Sequence, residues 1–321
     1  MKVIDHYANS AEPLISFEII PPRRGGTIET VFKALDQVRR FRPPFIDITS
    51  HAAEADIKEQ PDGTLTRKVR RKRPGTIGLA AAIKHRYDVD VVPHLICKGF
   101  TKEETEDALI ELNYLGIENV LAIRGDDHAY SKPHNKDRQT NDYAVDLVRQ
   151  IEDMNRGQYL EELLDASPTN FCIGVGGYPE KHKDAPNMGM DIRRLKEKVD
   201  AGADYIVTQL FYDNAHYFRF VDLCRNAGIT VPIVPGIKVL TRPEHLHTLP
   251  GIFHVDIPEA LSEAVSAEPG RAYAHGVEWA RKQCMGLLEQ GVQGLHFYIM
   301  ADPKAAVDVI SSLPIPQNAT R

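Results

Sequence analysis

Ile15-Ser-Phe-Glu-Ile-Ile-Pro-Pro22 sets one acid inside an otherwise apolar run. A short, β-branched and aromatic segment closed by two prolines predicts a buried strand that ends in a sharp turn. A charged, unpaired Glu18 in such a strand costs several kcal/mol. Burial without a cation raises a carboxyl pKa toward the range that a general acid needs near neutral pH. The alternative is a glutamate held by a buried Lys or Arg, and the strand alone leaves both readings open.

Seven more short apolar runs follow, most with polar residues at their C-terminal ends. They are Phe45–Ser50, Val91–Ile96, Val120–Arg124, Phe171–Gly177, Tyr205–Phe211, Val231–Gly236 and Gly294–Met300. Helix-period segments lie between most of them. Thr101 and Glu104 form a capping box before Ala108, Leu109, Leu112 and Leu115, and Gly116 is placed to stop that helix. Asp191 is expected to cap a helix with inner face Ile192, Leu195 and Val199 that ends at Gly202. Thr241 and Glu244 repeat the capping box around Pro243, and Asp302-Pro303 starts the last helix.

Eight strands alternating with helices over 321 residues predict an α/β fold, a (β/α)8 TIM barrel with peripheral helices. Such a barrel carries its active site at the C-terminal strand ends, where Glu18, Thr49, Arg124, Asp126, Tyr178 and Gln209 fall. No Gly-x-Gly-x-x-Gly follows the first strand, which argues against a Rossmann domain. Gly174, Gly176 and Gly177 give way to Tyr178-Pro179 instead of opening a helix.

One barrel uses nearly the whole length, and no linker or low-complexity stretch divides it, so residues 1–321 are expected to form a single catalytic domain. The start of the chain has no signal-peptide core, and no apolar run approaches a membrane span. The four cysteines are widely spaced and form no metal-type pair, so reduced thiols in a cytoplasmic protein are expected. A net charge of −6 argues against a nucleic-acid partner. The basic run from Arg67 to Arg73 stands apart. It reads either as a solvated loop or hairpin, or as a cationic flap for an anionic ligand such as a dinucleotide phosphate or a glutamate tail.

Eight motifs then occur in order: Ser16-Phe-Glu-Ile-Ile-Pro-Pro22, Pro93-His-Leu-Ile-Cys97, Arg124-Gly-Asp126, Tyr178-Pro-Glu-Lys-His182, Lys198-Val-Asp-Ala-Gly202, Thr208-Gln-Leu-Phe-Tyr-Asp213, Val234-Pro-Gly-Ile237 and His296-Phe-Tyr298. Each is weak alone, but together at barrel spacing they are specific. From about residue 14 to 312 the chain resembles the flavoprotein methylenetetrahydrofolate reductase family, in its short bacterial form without a C-terminal regulatory domain.

The resemblance implies FAD as cofactor, with hydride passing from NADH or NADPH through the flavin to 5,10-methylenetetrahydrofolate. Glu18 matches the family's general acid, and Asp126 its aspartate near flavin and pterin, where a negative charge stabilises a cationic iminium. Gln209 matches the pterin-binding glutamine, and Tyr298 falls in the substrate-binding set with Glu18 and Asp126. Thr49, Ala52, His94, Arg124, Gly125, Asp126, Ala144, Tyr178, His182, Asp191 and Lys198 match positions that hold FAD. A homo-oligomer is expected.

Three departures stand out. Asp302 sits where the family commonly has a basic folate contact, which shifts tail recognition to Lys238, Lys304 or the basic loop. Arg194 and Glu197 differ from the expected residues, and the stretch 54–75 is longer and more charged than in the shortest members. Two other classes compete with an active reductase. One is a flavin- or folate-binding barrel subunit fed with electrons by a partner protein. The other is a metal-dependent barrel hydrolase using His94, His182, Asp126 and Glu180, although no tight histidine pair supports it.

Overall fold

The computed structural model describes residues 1–71, 73, 75–125 and 139–315. Its strands are β1 (Leu14–Ile19), β2 (Phe45–Ile48), β3 (Glu54–Glu59), β4 (Leu65–Arg70), β5 (Asp90–Ile96), β6 (Asn119–Ile123), β7 (Cys172–Gly177), β8 (Tyr205–Thr208), β9 (Ile233–Val234), β10 (Gly236–Ile237) and β11 (Gly294–Met300). Nine of them form one parallel sheet in the order β10-β11-β1-β2-β5-β6-β7-β8-β9. The terminal segments β9 and β10 are two pieces of one run divided by Pro235, so the sheet curls into the predicted barrel. Proline has no N–H to give the ladder. Its carbonyl still accepts from the His296 backbone, at 3.0 Å.

All eight sequence runs become barrel strands, because each is a short, branched, apolar segment that both faces of a closed sheet can bury. Helices on the outside cover one apolar layer, which includes Phe17, Ile46, Ile83, Leu109, Ile151, Ile206 and Phe220. A second layer fills the lower barrel with Phe45, Val92, Leu121, Tyr205, Val207 and Val234. Gly174 makes room there, since a Cβ on it would lie 2.4 Å from the Tyr205 ring. The helix Val3–Asn9 plugs the N-terminal end by burying Val3 and Tyr7 against that layer.

Two helix starts differ from expectation. Asn187, not Asp191, caps the helix Met188–Asp200, accepting from Met190 N at 2.9 Å; Asp191 lies in its first turn. Thr241 and Glu244 form no capping box, because the helix there begins at His245 and Thr241 N donates to His245 Nδ1. The Thr101–Glu104 box is present in both directions, and Gly116 and Gly202 end their helices at φ +64° and +121°. Asp302 Oδ1 accepts from Lys304 N at the start of the helix Lys304–Ile310.

The basic stretch is the antiparallel hairpin β3–β4. Its base is tied to the C-terminal rim: Arg71 Nε donates to His51 O, Arg24 Nε to Arg71 O and Arg73 to Pro21 O. The Arg71 guanidinium also lies 5.2 Å from the Phe100 ring centre. Lys72 lies outside the described residues. All four cysteines are buried as free thiols. Among the described residues no helix is long and apolar enough to cross a membrane.

Candidate active site

The strand register brings the first acid into company. On β1, Glu18 stands beside Asp47 of β2 on one side and Tyr298 of β11 on the other. The β1–β11 register slips immediately after Glu18, and Met300 takes a left-handed φ of 56°. A bulge of this kind re-aims a side chain at a barrel rim. From β5, His94 Nε2 approaches Asp47 Oδ2 at 3.2 Å and Glu18 Oε2 at 3.7 Å. Lys238, just past β10, donates to Tyr298 O at 2.9 Å and faces Glu18.

Desolvation dominates this pocket. Burial pushes the Glu18 carboxyl up to about 7, with Asp47 adding to the rise while His94 and Lys238 oppose it. Asp47 is driven up to about 7 by burial, against the pull of His296. Burial lowers the affinity of His94 and Lys238 for protons. Glu18 thus combines burial with a facing cation, Lys238, and the burial outweighs it. The cation that faces it is itself desolvated and donates elsewhere, so the carboxyl can hold a proton near neutral pH.

Around this acid the rim residues form a cradle. Thr49 Oγ1 is sealed from solvent and has no hydrogen-bond partner among the described residues. Gly99 adopts φ +85°, and a Cβ on it would come within 3.1 Å of Ala52 Cβ, so backbone and Ala52 meet closely. Gly125 needs its freedom as well, at φ +83° against Ile96 and Lys98. Arg124 is held by Asp184 at 2.8 Å and lies 5.6 Å from the Tyr143 ring centre, next to Ala144 at the start of the helix Ala144–Asn155.

Beyond β7, Tyr178 and His182 meet edge to face with ring centres 4.5 Å apart. His182 N donates to Asp191 Oδ2 at 2.8 Å, and its Nδ1 accepts from Asp184 N. In the neutral ring, favoured by burial, Nε2 is then the donor. Lys198 donates to Gly176 O at 2.7 Å, and burial lowers its ammonium to about 8 against the pull of Asp191. Gln209 closes β8, where its Oε1 accepts from Leu210 N at 2.9 Å. The Tyr298 hydroxyl donates to Thr208 O at 2.6 Å, so this residue presents its ring more than its oxygen.

Asp126 lies outside the described residues. The other expected site residues gather at the C-terminal strand ends or on the loops and helices that follow them. Of the alternatives for the folate tail, Lys238 lies inside, next to the acid, and Lys304 is engaged with Asp308 and Tyr273 on the outside. Among the described residues, the donors of the metal reading do not converge. His94 faces Asp47, His182 faces Asp184, and Glu180 accepts from Asp256 N and lies 3.4 Å from His216. No metal-holding group of three such side chains occurs among the described residues. Two polar residues were given no role in the sequence reading, Asp47 and His296, although Phe45-Ile-Asp-Ile48 carries the same signal as the first strand, an acid in an apolar run.

The family model for methylenetetrahydrofolate reductase matches residues 3–314. Methylenetetrahydrofolate reductase (NADH) 1 of Arabidopsis thaliana is 31% identical over 98% of this chain and 51% of its own length. The 5,10-methylenetetrahydrofolate reductase of Salmonella typhimurium is 30% identical over 89% of this chain and 86% of its own. The chain thus spans about half the length of the plant relatives and most of the bacterial one. Among solved structures, an uncharacterized protein from Clostridium thermocellum that binds two copies of 5-methyl-5,6,7,8-tetrahydrofolic acid shares the fold. Its TM-score is 0.57 at 12% identity, over 96% of this chain and 97% of that one. Motif order, barrel topology and the full-length family match agree that this chain belongs to the methylenetetrahydrofolate reductase family.

Proposed function

We propose that this protein reduces 5,10-methylenetetrahydrofolate to 5-methyltetrahydrofolate, using FAD and hydride from NADH or NADPH. The observation that carries the reading is Glu18, a carboxyl at the mouth of a family-matched barrel that burial keeps protonatable at about pH 7. Opening the five-membered ring of the substrate breaks the bond between the bridging carbon and N10, and N10 must take a proton. Glu18 supplies that proton. Gln209 hydrogen-bonds the pterin amide edge, and the Tyr298 ring packs beside it. Asp126, next along the chain from Gly125, supplies negative charge near the cationic iminium.

FAD, when bound, supplies the hydride chemistry. The buried, unpartnered Thr49 hydroxyl and the close backbone approach at Gly99 fit a large planar group. Thr49, Ala52, His94, Arg124, Gly125, Asp126, Ala144, Tyr178, His182, Asp191 and Lys198 would hold FAD in this reading. Lys198 and Arg124 bring positive charge for phosphates, although Lys198 also donates to Gly176 O.

An anaerobic absorbance titration tests the reading. NADH or NADPH should bleach the yellow protein, and methylenetetrahydrofolate should restore its colour. A yellow protein that neither nicotinamide bleaches, but that the folate reoxidises after dithionite reduction, would replace the nicotinamide with a partner-borne electron source. A colourless protein that cannot be reconstituted with FAD would overturn the assignment.

A further inference from the structure

We propose that Asp47 is a positioning residue for the acid: by accepting the Nε2 hydrogen of His94 it keeps that hydrogen off Glu18, and so lets Glu18 hold its own proton. The use of that proton rests on the reductase reading; the geometry does not. One ring nitrogen faces two carboxyls, at 3.2 Å from Asp47 Oδ2 and 3.7 Å from Glu18 Oε2. Only the first is within reach of a hydrogen bond. The ring is almost fully buried. A carboxylate that accepted this hydrogen would be stabilised in its charged form and would make a weaker acid store.

The surroundings of Asp47 point the same way. Among the described residues its second oxygen, Oδ1, is buried without a partner, and so is His296 Nε2, whose other nitrogen, Nδ1, is taken by Ser16 Oγ at 2.8 Å. The bond that Asp47 makes goes to His94. Titratable groups from several elements face the pair. Glu18 is faced by His94 of β5, Asp47 of β2, Lys238 beyond β10 and Tyr298 of β11. Asp47 is faced by His94, by His296 and Tyr298 of β11, by Tyr205 of β8 and by Tyr7 of the N-terminal helix. Lys238 is the cation in this set and donates to Tyr298 O. Without Asp47, the Nε2 hydrogen of His94 is free to turn to Glu18.

The test is a carbon-13 NMR titration of the full-length protein labelled at its glutamate carboxyls, with Glu18→Gln identifying the signal. Asp47→Leu should lower the Glu18 midpoint by about one pH unit, a tenfold loss of proton affinity. Asp47→Asn, which keeps an oxygen for His94, should lower it by less. The pH limb of methylenetetrahydrofolate turnover should move in parallel, with a smaller change in KM. A folded Asp47→Leu protein whose Glu18 midpoint is unmoved or raised overturns the proposal. If that variant does not fold, a midpoint in Asp47→Asn at or above the wild-type value does the same. The titration does not need turnover. A shifted midpoint in an enzyme inert toward the folate would sink the reductase reading alone, and turnover with an unmoved midpoint would sink this proposal alone.

Discussion

At the N-terminal end of the barrel Asp90 lies among three hydrogen-bonding or charged partners: the terminal amine at 3.0 Å, His6 at 2.9 Å and Lys84 at 3.4 Å. Burial pushes its carboxyl up, but hydrogen bonds from His6 and the terminal amine, with the charge of Lys84, outweigh that and hold it at about 2. At the other end, Glu18 and Asp47 have no such set, and burial carries both to about 7. In the proposed reductase reading, the same chemical group is a fastener at one end and a proton store at the other. What differs is how many donors reach it, which agrees with the division of labour in barrels between a stabilising lower face and a reactive upper one.

The comparison sharpens into expected outcomes. The largest lies at the top. Glu18→Gln should cut methylenetetrahydrofolate reduction by about 10²–10⁴-fold while leaving nicotinamide-driven flavin reduction in place, as rapid mixing of the two half-reactions would show. Next is Gly236→Ala, also near the top. Its Cβ would stand 2.3 Å from Thr208 O and 2.5 Å from the Tyr298 ring. Urea unfolding should reveal about 1–3 kcal/mol of overpacking, together with weaker folate binding as Tyr298 moves. Gln209→Ala should weaken folate about tenfold, the loss of one buried hydrogen-bonding group, with FAD affinity unchanged. Equal losses for both ligands would break the pterin assignment.

The smallest effect belongs to the bottom. Asp90→Asn should cost about 1 kcal/mol at neutral pH, discounted for solvent screening of a partly exposed group, and leave kcat alone. The two ends also carry opposite pH signs. Asp90 is depressed, so its stabilisation is present above its ordinary value of 3.8 and is lost as pH falls through about 2. Glu18 is raised, so its contribution is present below 4.5 and is lost as pH rises through about 7. Urea midpoints across pH for wild type, Asp90→Asn and Glu18→Gln should show the acid-side slope flattening in the first variant and the neutral-side slope in the second.

Much of the top end was legible in the sequence because its chemistry rides on strands. An apolar run such as Ile15–Ile20 or Gly294–Met300 fixes both the strand and which residue reaches the rim. Residues whose role depends on a distant partner were not legible. Nothing local to Asp47 says that His94, 47 residues on, will meet it. Lys198 bonding the carbonyl of Gly176 is of the same kind. The start of the helix at Met188 was missed because Asp191 imitates a cap, while Asn187 three residues before Met190 performs it. The hairpin was left between two readings because its apolar residues are not buried: Ile57 and Leu65 are 61% and 70% exposed, and β4 is exposed along its whole length. The Asp90 cluster depends on the chain terminus, which no motif announces.

The most direct test of the contrast between the ends is the pH dependence of flavin reoxidation by methylenetetrahydrofolate, followed by stopped-flow absorbance in wild type and Glu18→Gln. A rate that falls as pH rises through about 7, and a slow, pH-independent rate in the variant, is the expected result. A wild-type rate that stays flat through that range, or a variant that keeps the same limb, would contradict the assignment of Glu18 as the barrel's proton store.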